Sequence, residues 1–179
     1  LDTYPQIRKY CDGAAFHYYD GSPEDIDNVR LKYPELEYHF TEGGPRLYDN
    51  YATDWCKWGI VISKALKHGC TTFTGWNLML DEVGGPNIGP FFCGGLVTRN
   101  SINGELSYSG QYRAFGHFSK FIKRGAEIFP AAASKKGSTL FAFPDEEKPA
   151  EICAALNPDG KFILPVTNSS HEKRQLQYY

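Results

Sequence analysis

The chain is 179 residues long with 19 Lys and Arg against 21 Asp and Glu, a formal charge of −2, so it has no basic excess for a phosphate backbone and nucleic acid is not the expected partner. Its apolar runs, such as Gly59-Ile60-Val61-Ile62, fall far short of the roughly 20 residues a spanning helix needs, and the chain is expected not to span a membrane. The length suits one ordinary domain or a piece of a larger one, and the compositional surplus is aromatic, with 12 Tyr, 12 Phe and 3 Trp making 15% of residues.

In chain order, the run from Ala14 to Tyr19 reads as a strand ended by Asp20-Gly21. Ser22-Pro23-Glu24-Asp25 announces a helix, with an N-cap Ser, Pro in the first turn and acids where they complement the dipole; Pro34 stops it. A second strand, Glu37 to Thr41, runs into Glu42-Gly43-Gly44. Tyr51, Trp55, Trp58, Ile62 and Leu66 then mark one face of a helix predicted from about Asn50 to His68, with Gly69 to end it. Cys70 to Leu80 reads as a third strand. Strand, helix, strand, helix, strand is the pattern of a parallel sheet covered by helices.

Asp81 to Gly110 is rich in Gly and Asn and reads as a functional loop containing a hairpin. A helix follows with Tyr112, Phe115, Phe118 and Ile122 as its stripe. From Ile128 the texture changes to short strands, Ser138 to Phe143, Glu151 to Leu156 and Lys161 to Thr167, the last two joined by the turn sequence Asn157-Pro158-Asp159-Gly160. The domain boundary is placed near Glu127.

The predicted strand ends carry the candidate chemistry, because parallel α/β folds assemble their sites there. Glu42 closes the second strand before two glycines that leave its approach open; a catalytic carboxylate and a solvated strand terminus are the two readings. His17, Tyr18 and Tyr19 end the first strand as a polar cleft lining or a half-buried His, and Trp76-Asn77 ends the third, offering an indole and an amide to a sugar or a core Trp beside a turn Asn. Asn87, in Gly84-Gly85-Pro86-Asn87, stands at the rim of the same cleft or in a plain turn. His17, His39 and His117 lack the short paired spacing of a metal site, and there is no nucleophile elbow, phosphate loop or dinucleotide fingerprint, so neither metal nor cofactor is expected. The five Cys, at 11, 56, 70, 93 and 153, suggest neither a zinc knuckle nor a disulfide framework. Asn168-Ser169-Ser170 has the form of a glycosylation acceptor.

Four ordered motifs resemble glycoside hydrolase family 30, the glucosylceramidase-like family: Gly13-Ala14-Ala15-Phe16-His17-Tyr18-Tyr19, Phe40-Thr41-Glu42-Gly43, Trp76 to Glu82 with Gly84-Gly85-Pro86-Asn87, and Gly116 to Ile122 with Gly125-Ala126. The resemblance runs from about Tyr4 to Asn168. It implies an α/β fold, the C-terminal portion (about strands 6 to 8) of a (β/α)₈ barrel over residues 1–127, followed by antiparallel strands of a partial β-sandwich over residues 128–179. It further implies retaining hydrolysis of a β-glycoside such as glucosylceramide, a β-glucoside or a β-glucan. Glu42 matches the family's nucleophile, Tyr19 the tyrosine that contacts the carboxylates and Trp76 the ring lining the departing glycosyl unit's subsite, while His17, Tyr18, Asn77 and Asn87 fall in motifs around the pocket. Retention needs a second carboxyl about 5–5.5 Å away. The family takes it from the fourth strand, expected before Leu1 with the rest of the barrel's N-terminal part, so the segment alone is expected to be inactive. A whole barrel takes about 250 residues. The alternatives are a β-1,6-glucanase or β-xylosidase of the same family, or a non-catalytic carbohydrate-binding piece. By the same resemblance a secreted, periplasmic or lysosomal location is expected.

Overall fold

The computed structural model describes residues 1–87, 92–129, 131 and 150–173. The expected strand from Ser138 to Phe143 lies outside the described residues. After a 3-10 turn at Pro5–Tyr10, strand β1 (Gly13–His17), helix α1 (Ile26–Lys32), strand β2 (Glu37–Glu42), helix α2 (Trp55–Lys67) and strand β3 (Cys70–Phe73) follow in order. The three strands form one parallel sheet in the order β1-β2-β3, as the alternation of strand and helix predicts. A 3-10 turn at Pro23–Asp25 leads into α1, where the Ser22 N–H donates to Asp25 Oδ2 at 2.7 Å; Gly69, at φ +100°, ends α2 in a conformation that favours glycine.

Strand periodicity divides the sheet into two unlike faces. Tyr38 and Phe40 point under the helices and are 3% and 2% exposed, joining Ile26, Leu36, Ala65 and Cys70 in one core. The Phe40 and Phe73 rings lie parallel, 4.1 Å between centroids. A second core forms where α2 meets helix α3 (Gly110–Ser119), around Trp58, Ile62, Ala114, Phe118 and Cys153.

Several expected elements are shorter than their sequence patterns: β1 ends at His17, before Tyr18 and Tyr19, and α3 ends at Ser119, before Ile122. Helix α2 begins at Trp55 and not near Asn50, because Asn50 has φ +49° and residues 51–54 form turns; Tyr51 instead reaches across to donate to the Gly95 carbonyl at 2.8 Å. Within the helix Trp58 is the buried indole and Trp55 is 42% exposed. The third strand stops at Phe73, and Asn77 at φ +56° breaks what reads as one run to Leu80. Past the break, strands β4 (Met79–Leu80), β5 (Val97–Arg99) and β6 (Leu106–Tyr108) make a small mixed sheet, with the β5–β6 hairpin inside the Gly/Asn-rich segment where a hairpin is expected.

The C-terminal strands are split between two ribbons. Strands β7 (Glu127–Phe129), β9 (Ala154–Leu156) and β10 (Phe162–Ile163) pair antiparallel in the order β10-β9-β7, while β8 (Glu151–Ile152) pairs with β11 (Val166–Thr167). The expected turn joins β9 to β10: the Gly160 N–H donates to the Asn157 carbonyl at 2.9 Å, and Gly160 has φ +79°. Ser63 of α2 donates to Glu151 at 3.0 Å, and Cys153 is fully buried against α2 and α3, so this β layer is seated on the two helices.

Candidate active site

The sheet places its polar groups by register. Phe16 pairs with Phe40, but the next pair along is His17 with Glu42, a shift that skips Thr41. Such a bulge bends a strand and re-aims a side chain. Here it brings Glu42 level with His17 at the C-terminal ends of two adjacent parallel strands. Glu42 Oε2 lies 3.7 Å from His17 Nε2, and Tyr19 Oη donates to Glu42 Oε1 at 2.9 Å. One carboxylate oxygen is therefore held by a phenol, while the other faces the imidazole.

Tyr19 is fixed from several sides. Its ring meets His17 edge-on at 5.7 Å and Tyr18 at 4.9 Å, and the guanidinium of Arg46 stands 6.0 Å over it. Partial burial, then the bond to Glu42 and that carboxylate's charge, push the Tyr19 phenol well above its ordinary range. That direction favours the protonated phenol that donation to Glu42 requires. Tyr18 turns the other way, edge-on to buried Trp58 at 5.1 Å, so it braces the site from behind.

The backbone after Glu42 fits only glycine. A Cβ on Gly43 would lie 2.9 Å from the Tyr18 ring and 3.0 Å from the Phe40 ring, and one on Gly44 would lie 2.9 Å from the Trp76 Cβ. That close approach joins Trp76 to the site: its N–H donates to the Gly43 carbonyl at 2.9 Å. The indole is 42% exposed, a ring face offered to solvent beside the carboxylate's loop. Trp76 and Asn77 are carried by the loop beyond β3 and not by its last residues, and the Asn77 carbonyl accepts from Leu96 at 3.0 Å. Asn87 is exposed in the loop that follows β4.

The three histidines are scattered. His17 sits beside Glu42, His39 pairs with Thr72 Oγ1 at 3.0 Å in mid-sheet, and His117 lies on α3. Two further residues belong to the neighbourhood without having been singled out from sequence. Arg46 donates to the Tyr48 hydroxyl at 2.6 Å while covering Tyr19, and its only sequence signal is a basic residue four positions past Glu42 in a strand-to-helix loop. Gln111 is fully buried in the first turn of α3 and donates from Nε2 to the Gly43 carbonyl at 2.8 Å.

A carboxylate at the end of a parallel strand, held by a phenol and flanked by an imidazole and an exposed indole, is equipped to attack or stabilise an electrophilic carbon in a ring-stacked ligand. No family model matches the sequence. It is 31% identical over 181 aligned residues to the lysosomal acid glucosylceramidase of Mus musculus, covering 94% of this chain and 33% of that one. With an endo-1,6-β-D-glucanase of Neurospora crassa it shares 24% identity over 166 residues, 89% of this chain and 33% of the other. Among solved structures, an endo-β-1,6-glucanase superposes with a TM-score of 0.74 at 26% identity, over 91% of this chain and 36% of that one. SrfJ from Salmonella typhimurium superposes at 0.75 with 23% identity over 92% and 37%, a likeness of fold alone. The chain spans between a quarter and a third of the length of the curated relatives it matches.

Proposed function

This chain belongs to the glucosylceramidase-like glycoside hydrolases of family 30, and on that footing we propose that it supplies the nucleophile side of a retaining β-glycosidase site, with Glu42 as nucleophile. The observation that supports the reading best is the bulged register that sets His17 beside Glu42, with Tyr19 donating to the carboxylate at 2.9 Å. In this reading Glu42 Oε2 attacks the anomeric carbon and displaces the aglycone oxygen. An acid from outside these residues protonates that oxygen. Water, deprotonated by the same group, then attacks the anomeric carbon and frees Glu42, so two inversions give net retention. Tyr19 holds Oε1 throughout, which leaves Oε2 as the attacking atom.

The fold reading goes with it. The helix-covered parallel sheet is taken as about strands 6 to 8 of a (β/α)₈ barrel over residues 1–127, its polar face turned to the barrel interior, and residues 128–179 as part of a β-sandwich. Trp76 offers a stacking face for the departing unit, with His17, Asn77 and Asn87 assigned to the pocket around it and Tyr18, expected from sequence to line that pocket, supporting it from behind against Trp58. The substrate class is a β-glucoside of the glucosylceramide type. A β-1,6-glucan is the second reading, favoured by the two endo-1,6-glucanase relatives.

Mechanism-based labelling with a 2-deoxy-2-fluoro-β-glucoside, followed by peptide mapping, tests the nucleophile. The longest polypeptide the gene encodes is expected to be labelled on Glu42; a label on any other residue overturns the assignment. Residues 1–179 alone are expected to show no turnover of an aryl β-glucoside, and turnover abolished by Glu42→Gln would refute that expectation while keeping the nucleophile. Comparing gentio-oligosaccharides with glucosylceramide as substrates separates the two substrate readings.

A further inference from the structure

Gln111 is a fully buried amide side chain that reaches the loop directly after the proposed nucleophile. It lies two residues past Ser109, the N-cap of α3, which is itself fully buried and accepts from the Tyr112 N–H at 3.0 Å. The Gly110 N–H donates to the Tyr51 carbonyl at 2.7 Å, so the start of α3 is anchored on both sides. From that anchored turn Gln111 reaches 68 residues back along the chain to the Gly43 carbonyl, at 2.8 Å. The Trp76 N–H donates to the same carbonyl at 2.9 Å. A carbonyl has two lone pairs, and here one is taken by the loop that carries Trp76 and the other by α3.

The other end of the amide points away from a packing role. Gln111 Oε1 is buried with no hydrogen-bond partner among the described residues, and an ideal Cβ on Gly75 would lie 3.2 Å from it. A buried acceptor without a partner lowers stability. Turning the amide over would set Oε1 against the Gly43 oxygen, so the donor on Gly43 fixes its orientation. For packing alone, Met would fill the same space with no unsatisfied oxygen. What the amide adds is a donor on the Gly43–Gly44 peptide, one residue past Glu42.

We propose that Gln111 is a positioning residue: by holding the Gly43 carbonyl it sets the exit of β2, and with it the place of the Glu42 carboxylate relative to Trp76. The inference rests on the reading of Glu42 as nucleophile. A carboxylate displaced by a fraction of an ångström from its line of attack still binds the sugar but reacts slowly. Replacing the donor therefore weakens the chemical step and spares binding.

The test uses the longest polypeptide the gene encodes and a fluoroglucoside inactivator, reading the maximal inactivation rate and the half-saturating concentration separately. Gln111→Met is expected to lower the maximal rate on the order of tenfold to a hundredfold, with half-saturation within about twofold and the label still on Glu42. Gln111→Glu supplies a donor only when its buried carboxyl is protonated. Its rate is expected to recover towards wild type as the pH falls, a dependence the Met variant lacks. Unchanged inactivation in Gln111→Met overturns the proposal. So does a rate and half-saturation that shift together, or failure of both variants to fold at every pH, which assigns Gln111 to the fold. A wild-type protein labelled elsewhere than Glu42 brings down the nucleophile reading first, and the positioning role falls with it.

Discussion

Beneath α1 and α2, the parallel sheet presents Tyr38, Phe40 and Cys70, none more than 3% exposed; on its opposite face the same strands present Ala15, His17, His39, Thr41 and Thr72, which are small or polar and lie open or half open. One face supplies the free energy of folding and the other supplies the groups able to do chemistry. Because side chains alternate, each open-face residue has a buried neighbour: Phe16 precedes His17, and Phe40 stands between His39 and Thr41. The site is therefore held from behind. Substitutions on the open face should change reactivity and leave folding nearly intact, whereas those on the covered face should do the reverse.

The sharpest separation is expected at Glu42. In the longest polypeptide the gene encodes, removing the charge of the proposed nucleophile in Glu42→Gln should cut the rate on the order of 10⁴-fold or more and abolish covalent labelling, while the unfolding midpoint in denaturant stays put. A fall in stability to match the loss of activity would break the division between the faces.

Phe40→Ala is the counterpart on the covered side. The ring is 2% exposed and stacked on Phe73, so its loss should cost about 3–5 kcal/mol in equilibrium unfolding. A cost below about 1 kcal/mol would show that the helices and sheet do not form the core described.

Tyr19→Phe returns to the open face with a smaller effect. A hydrogen bond to a charged acceptor contributes about 1.5–3 kcal/mol, so the rate should fall by roughly tenfold to a hundredfold. Burial and the adjacent carboxylate raise the phenol's pKa, which means the proton is kept above the usual tyrosine range and the donation persists as pH rises. The ratio of wild-type to variant rate should accordingly be flat from about pH 5 to pH 9. A ratio that collapses within that window would mean Tyr19 titrates there and does not hold the carboxylate as described.

Much of this division could be read from the residues. Ser22-Pro23 and Gly69 mark helix ends through local chemistry, and the apolar strands with polar C-terminal residues announce a parallel sheet with its reactive groups at one end. Register was not legible, because the shift that levels His17 with Glu42 leaves no mark in hydrophobicity. Nor was the break at Asn77, a left-handed residue inside an apolar run that otherwise favours one continuous strand. Trp55 and Trp58 are both compatible with a buried helix stripe; only the packing of α3 and Cys153 onto α2 decides that Trp58 goes in. Gln111 was not singled out because its significance comes from a bond 68 residues away, to the Gly43 carbonyl, that no local pattern marks.

The finest test of the two faces is His39, which shares the open face with Glu42 but lies in mid-strand. Its ring bonds Thr72 at 3.0 Å, and its other nitrogen lies 3.4 Å from the Glu37 carboxylate, whose side chain is 71% exposed. Half-exposed contacts of this kind contribute little, since water replaces them when they break. His39→Val keeps a residue well suited to a pleated strand and should change unfolding free energy by less than about 1 kcal/mol, far below Phe40→Ala one position away. Should His39→Val instead cost as much as Phe40→Ala, the open face would have to be a packed interior in the polypeptide tested. That is the result expected if other strands close over the sheet as a barrel does, and comparing the substitution in residues 1–179 with the same substitution in the longest encoded polypeptide would then measure how much of this face the remaining chain covers.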